Sequence, residues 1–364
     1  MAEYKQNKSF SFTGKLIFKE ENLLKTKEGS SWRRLQFGIS DGVTTQYIEV
    51  SEFGAGKAFE TQVSKAGNDG YEKTTIQWDQ RHDPKIIESI AGFRKLTFNL
   101  GNDKETKETF VHSHDFIERF MLAVQQKQLE SAKYVEGKLV GGTTVFVSGQ
   151  IKFNKYEGKV TPVFQAQNFM ISTATEDKFT FNGALSVVFT AGALEDDEEN
   201  KKLYVNCYVQ DFYKEQGAEK GKNTMMKQVL VLPYGEMEKG DGYCQILKKY
   251  MDIEEGYKSI YFGVKFFKGA EETTDFKPTP EQLELIDMGL TTMEEIMKQS
   301  AGIGKMKTEL RIAGVNTKGI YSAIVADTNF LASDFGIEEK NQDIDLFSNE
   351  ENNEFFLDDE EMPF

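Results

Sequence analysis

The chain has 364 residues, 39% of them hydrophobic, with 29 Phe, 14 Tyr and a net charge of −15. It is too long for one small domain and apolar enough for two cores; it has no run near the ~20 apolar residues of a membrane helix. The start, MAEYKQNKSF, lacks the apolar stretch of a secretory signal, and Cys207 and Cys244 show no paired spacing, so a cytosolic protein without disulfides is expected.

The charge is segregated. Residues 1–175 hold 24 basic and 21 acidic side chains, residues 176–335 hold 19 and 27, and residues 336–364 hold 1 and 11. Acid collected in one segment does not argue against nucleic-acid binding elsewhere.

In chain order, SFSFTGKLIF alternates Phe10, Phe12, Gly14 and Leu16 on one face of a strand. SSWRRLQFGIS sets Leu35, Phe37 and Ile39 against Trp32, Arg34 and Gln36, and Asp41-Gly42 turns the chain into TTQYIEVSEF, where Ile48 and Val50 oppose Tyr47, Glu49 and Ser51. Residues 55–112 are less regular and read as an insertion with strands around TTIQWD and RKLTFNL. DFIERFMLAVQQKQL has helical spacing in Phe116, Phe120 and Val124, with Asp115 as the candidate cap. TTVFVSGQIKF and VTPVFQAQNFMIS follow as strands joined by NKYEGK.

The second half repeats this order. KFTFNGALSVVF matches the first strand, with Phe179, Phe181, Gly183 and Leu185 at an offset of 169 residues from Phe10, Phe12, Gly14 and Leu16. Next come KLYVNCYVQDFY, NTMMKQVLVLPY, a helix near YCQILKKYM, KSIYFGVKFF, a helical insertion, and GKMKTELRIAGV. Two copies of strand–strand–strand–helix–strand–strand give the element order of the OB-fold, a five-stranded Greek-key barrel. The expected fold is therefore mostly β: an OB domain at 1–175 with an insertion at 55–112, and a second at 176–317 with a helical insertion near 270–300. Residues 318–364, polar and acidic, are expected to be disordered.

Catalytic candidates are poor. His112 and His114 in HSH could share a strand face, yet no third metal ligand is evident, and they read as surface histidines. FGAGK and GIGK lack phosphate-loop spacing, and SDFG has no accompanying kinase motif. No enzymatic activity, metal or cofactor is expected.

The strand faces turned from the core are more informative, because they carry rings beside cations or amides. In the first half these are Trp32, beside Arg33 and Arg34, then Tyr47, Lys152 and Tyr156, with Lys155 and Lys159 around the NKYEGK turn. In the second they are Tyr204, Tyr208, Phe212, Tyr261, Lys265 and Phe267. Rings that stack on bases, with cations that follow phosphates, suit single-stranded nucleic acid. A duplex would call for a basic groove-fitting helix, and none is present. The alternatives are that these faces make protein contacts, as in a tandem-barrel adaptor, or that they bind RNA.

TTVFVSGQIKFNKYEGKVTPVFQAQNFMIS resembles the fourth and fifth strands of the single-stranded DNA-binding proteins of bacteria and phages. FFLDDEEMPF is similar to that family's acidic tip, which ends in Pro-Phe after a run of Asp. The resemblance implies a non-catalytic protein that coats single strands in replication, recombination and repair. It also implies a tip, here Asp358, Asp359, Glu360, Glu361, Met362, Pro363 and Phe364, that recruits replisome and repair proteins. Bacterial members carry one barrel per chain and form tetramers; a tandem chain suggests a phage-encoded member in the host cytoplasm, monomeric or dimeric.

Overall fold

A computed structural model describes residues 6–335, apart from 65–70, 91–94, 102–104, 136–137, 157–158, 214–220, 271–278, 289–305 and 316–324. The chain is mostly β, and its principal strands join in one large mixed sheet. Ten of them come in two sets of five: β1 (Lys8–Ile17), β2 (Arg33–Ser40), β3 (Thr45–Glu52), β4 (Thr144–Tyr156) and β5 (Lys159–Ile171), then β6 (Thr180–Phe189), β7 (Lys202–Tyr213), β8 (Lys222–Leu232), β9 (Lys258–Ala270) and β10 (Met306–Val315).

Each set pairs in a closed circuit. β1 pairs antiparallel with β2, β2 with β3, β4 with β5 and β4 with β1, while β3 meets β5 in parallel through Ile48 opposite Phe164. The second set repeats every one of these pairings, with β8 and β10 parallel through Leu230 opposite Leu310. A helix stands between the third and fourth strands of each: α1 (Ser113–Gln125) and α2 (Gly240–Met251).

The alternation predicted from sequence explains the circuits, because a strand puts every second side chain on the same side. Phe10, Phe12, Leu16, Leu35, Phe37, Ile39, Ile48 and Val50 are all buried. α1 closes the first interior with Phe116, Phe120 and Val124, and Phe120 stacks on Phe37 at 5.0 Å. Its N-cap is His112 rather than Asp115: the His112 imidazole accepts the His114 amide at 3.1 Å, whereas Asp115 is drawn to Arg81 at 3.1 Å.

The halves are welded together through β1 and β6, which pair antiparallel with Phe12 opposite Phe181. These residues are also equivalents under the 169-residue repeat, so a local two-fold axis passes through the pair. Phe12 touches the rings of Phe164, Phe181 and Phe266 at 4.8–5.6 Å, and the two interiors form one continuous core. Beside it, Asp211 of β7 is buried against the first half. It accepts the Phe153 amide and the Lys8 ammonium, each at 2.7 Å.

Residues 53–112 carry a hairpin (Phe59–Ser64 with Tyr71–Ile76), a helix (Pro84–Ser89) and a strand pair, around a small core of Ile76, Ile90 and Val111. The helix Pro280–Asp287 lies in the expected helical insertion of the second half. One expectation fails: residues 325–335 are not structureless. Val325–Asp327 pairs with β9 and Ala332–Phe335 forms a 3-10 turn, because Phe330 and Phe335 find aromatic partners that a local reading does not reveal.

Candidate nucleic-acid interface

The circuits leave the outer faces of their second and third strands pointing away from the core. On β2 and β3 this face carries Arg34, Gln36, Tyr47, Glu49 and Ser51, all half-exposed, with Trp32 just ahead of β2. The Arg34 guanidinium lies 5.7 Å from the Trp32 ring centre, a cation–π approach. Glu49, 3.6 Å from Arg34, balances its charge and also accepts from Gln165 and Ser51, each at 3.4 Å.

Tyr47 sits opposite Gly38 with its ring close to that backbone: a Cβ at Gly38 would stand 3.4 Å from the Tyr47 ring. The ring therefore lies over the β2 backbone. Burial, and secondarily the neighbouring Tyr134, push the Tyr47 hydroxyl pKa upward. Tyr134 comes from a hairpin (Lys133–Val135 with Lys138–Val140) and is 50% exposed; its hydroxyl is 2.9 Å from Ser40 Oγ. Trp32, Arg34, Tyr47 over Gly38, and Tyr134 beside Ser40 thus follow β2 for about 27 Å, at a strand's ~3.4 Å per residue. Sequence reasoning missed Tyr134, whose three-residue strand is too short to show periodicity.

Arg33 does not belong to this face. It shares parity with Leu35 and Phe37 and ends in an ion cluster: Glu52 at 2.6 Å, Glu118 at 2.6 Å and His114 Nδ1 at 2.9 Å, with the Glu52 side chain only 1% exposed. His114 completes the cluster 3.1 Å from Glu52, and His112 is buried against Phe59 and Trp78. The two histidines are therefore structural and not surface groups. Period-two parity was the signal that separates Arg33 from Arg34.

Lys152, Lys155 and Lys159 are exposed on the β4–β5 hairpin, whose tip reaches the second half through the Tyr213 hydroxyl donating to the Lys155 carbonyl at 3.1 Å. Tyr156 ends β4 opposite Lys159; its side chain lies outside the described residues.

The second-half candidates are divided. Tyr204, Tyr208 and Phe212 share the outer face of β7, where Tyr204 is half-buried and Phe212 is 67% exposed. Tyr208 is not exposed: it is covered by Phe335 at 4.8 Å and packs with Val188 and Met225. Tyr261, Lys265 and Phe267 stand on β9, separated from β7 by β6 on one side and by β8 and β10 on the other. Tyr261 accepts from Asn7 at 3.4 Å, Lys265 is exposed, and Phe267 lies under the Arg311 guanidinium at 4.0 Å, which Glu309 and Glu236 neutralise. The structure therefore brings Trp32 and Tyr47 together in the first half, and divides the second-half rings between β7, where Tyr208 is covered, and β9. Residues 358–364 lie outside the described residues.

No model of a known protein family matches the chain, and no curated protein matches it. Among the described residues no helix is long and apolar enough to cross a membrane.

Proposed function

We propose that the chain is a sequence-tolerant single-stranded DNA-binding protein made of two OB-fold barrels, with the β2–β3 face of the first barrel as its principal DNA track. The repeated strand order, with a parallel third–fifth pairing and a helix between the third and fourth strands, supports the OB reading. One observation carries the functional reading: Trp32 with Arg34, Tyr47 over Gly38, and Tyr134 lie in a row on one accessible face. Rings so placed stack on bases at roughly 1–3 kcal/mol each, irrespective of sequence. Arg34 and the exposed Lys152, Lys155 and Lys159 supply phosphate contacts, with the salt dependence these bring.

The acidic segment 336–364 has two roles in this reading. Its last residues, Asp358 to Phe364, recruit proteins of replication, recombination and repair, and its charge competes with DNA for the basic surface.

The test uses the two tryptophans. Trp78 lies in the insertion, its ring 4.1 Å from the Arg81 guanidinium, so Trp78→Phe leaves Trp32 as the reporter. Oligo-dT should quench this fluorescence, with affinity falling as salt rises, while duplex binds weakly. No oligo-dT binding at low salt would sink the reading in favour of a protein-interaction adaptor. Equal or tighter binding of a matched RNA oligomer would reassign the ligand.

A further inference from the structure

The outer faces of β2–β3 and β7–β8 are topological equivalents, yet on the second the chain itself covers Tyr208. Val188, Tyr208 and Met225 form a small apolar patch with Tyr257, separate from the main core. Residues 325–335 cross it. Val325–Asp327 pairs with Lys258, Ser259 and Ile260 at the start of β9, and the Thr328 hydroxyl donates to the Tyr257 carbonyl at 2.6 Å. The turn Ala332–Phe335 then sets Phe335 parallel to Tyr257, with ring centroids 4.2 Å and planes 11° apart, and edge-on to Tyr208.

A flat ring lying parallel on tyrosine, with a second ring at its edge, is how a stacking platform holds a base. Lys227 is exposed directly opposite Tyr208, a cation beside a ring as Arg34 is beside Trp32. The strap is slightly held: its strand has three residues, its turn four, and Leu331 between them is 67% exposed.

We propose that residues 325–335 are a displaceable strap in which Phe335 fills the place of a nucleobase on the second barrel. This inference rests on the DNA-binding reading above. A short single strand engages the first barrel alone. A longer strand, once held there, is tethered next to the second barrel at high effective concentration and competes with a strap that is itself only a tethered ligand. It then gains Tyr208, Tyr257 and Lys227. The weld between β1 and β6 fixes the spacing of the two faces, so the switch depends on strand length.

The experiment compares oligo-dT of about 8 and about 30 nucleotides, chosen from typical OB site sizes, on the intact chain, Phe335→Ala and Phe335→Ala/Tyr208→Ala. Phe335→Ala should tighten the long oligomer about fivefold or more, from about one stacked base. It should leave the short one's quenching of Trp32 on the first barrel unchanged, and adding Tyr208→Ala should cancel the gain. Hydrogen exchange on the intact chain is the independent measurement: the long oligomer should speed exchange across 325–335 and the short one should not. Intact-chain binding with Phe335→Ala neutral for both oligomers, or slowed exchange across 325–335, overturns the strap alone. Failure of the intact chain to bind either oligomer overturns the DNA reading beneath it.

Discussion

The two halves repeat one strand order and share one core, but they treat the same outer face differently. In the first, Tyr47 and Arg34 are half-exposed on β2–β3 and Tyr134 stands beside them; in the second, Tyr208 lies under Phe335 on β7–β8. Closing a circuit constrains the inward side chains, because they must fill a fixed volume at crystal-like density. It leaves the outward ones free to diverge. The repeat is accordingly legible in Phe12 and Phe181, Leu16 and Leu185, while the outer faces share no such match.

The largest expected effect tests whether the halves are one body. Phe12 is fully buried at the local two-fold axis, with Phe164, Phe181 and Phe266 around it. Phe12→Ala should cost about 3–5 kcal/mol. Because the core is continuous, urea unfolding followed by tryptophan fluorescence (both Trp are in the first half) should coincide with unfolding followed by circular dichroism of the whole chain. A second, separate transition would make the halves independent domains, and the fixed spacing of their faces would fall with it.

Next comes the functional asymmetry. Tyr47→Ala in the intact chain should weaken oligo-dT binding by about 1–3 kcal/mol. Tyr208→Ala should do far less on a short oligomer, since its ring is already occupied. Equal losses would show that both faces are used at once and that the cover on Tyr208 has no bearing on binding.

Short-range periodicity makes a side chain's face legible in the sequence, whereas contacts between distant segments leave no local trace. Trp32, Arg34 and Tyr47 lie on the outer face, as the alternation of Leu35, Phe37 and Ile39 required. Arg33 neighbours Trp32 but shares the parity of Leu35, and the carboxylates that hold it off that face come from Glu52 and from Glu118 on α1. Phe335 was invisible for a different reason. It lies in a polar stretch with no period of its own, and its order depends on rings more than 75 residues earlier in the chain, at Tyr208 and Tyr257.

A smaller effect concerns the insertion, whose counterpart in the second half is the short connection 233–239. All three histidines of the sequence, His82, His112 and His114, lie in the first half. Burial holds the His112 pKa below 6.5, outweighing the opposing pull of Glu52. A cationic ring would also lose the lone pair that caps α1. Since the folded pKa is depressed, the unfolded chain binds the proton more readily. The contribution of His112 is therefore complete above pH 6.5 and is lost as the pH falls below it. His112→Ala should cost about 1 kcal/mol through the cap, and acid should no longer add to that loss. Hydrogen exchange at about pH 7.5 and about pH 5.5, either side of the imidazole range, should show the acid-induced loss of protection in α1 and not in α2. Equal loss in both helices would remove His112 as the cause.

The last effect is the smallest and bears most directly on what covers each face. The parallel pairings align Glu49 beside Gln165 with Val231 beside Arg311. The position that carries a carboxylate on the first face is thus a buried valine on the second. Glu49 occupies Arg34 as Phe335 occupies Tyr208, by charge in one case and by stacking in the other. Glu49→Gln keeps an oxygen to accept from Gln165 and Ser51, while it removes the charge that neutralises Arg34 and repels phosphate. Both partners are partly solvated, so the gain should be modest: about twofold to fivefold tighter oligo-dT binding at low salt, shrinking as ionic strength rises. Titrations at two salt concentrations decide it. If Glu49→Gln binds no more tightly than the intact chain at low salt, Arg34 does not meet phosphate, and the track along β2 must run without it.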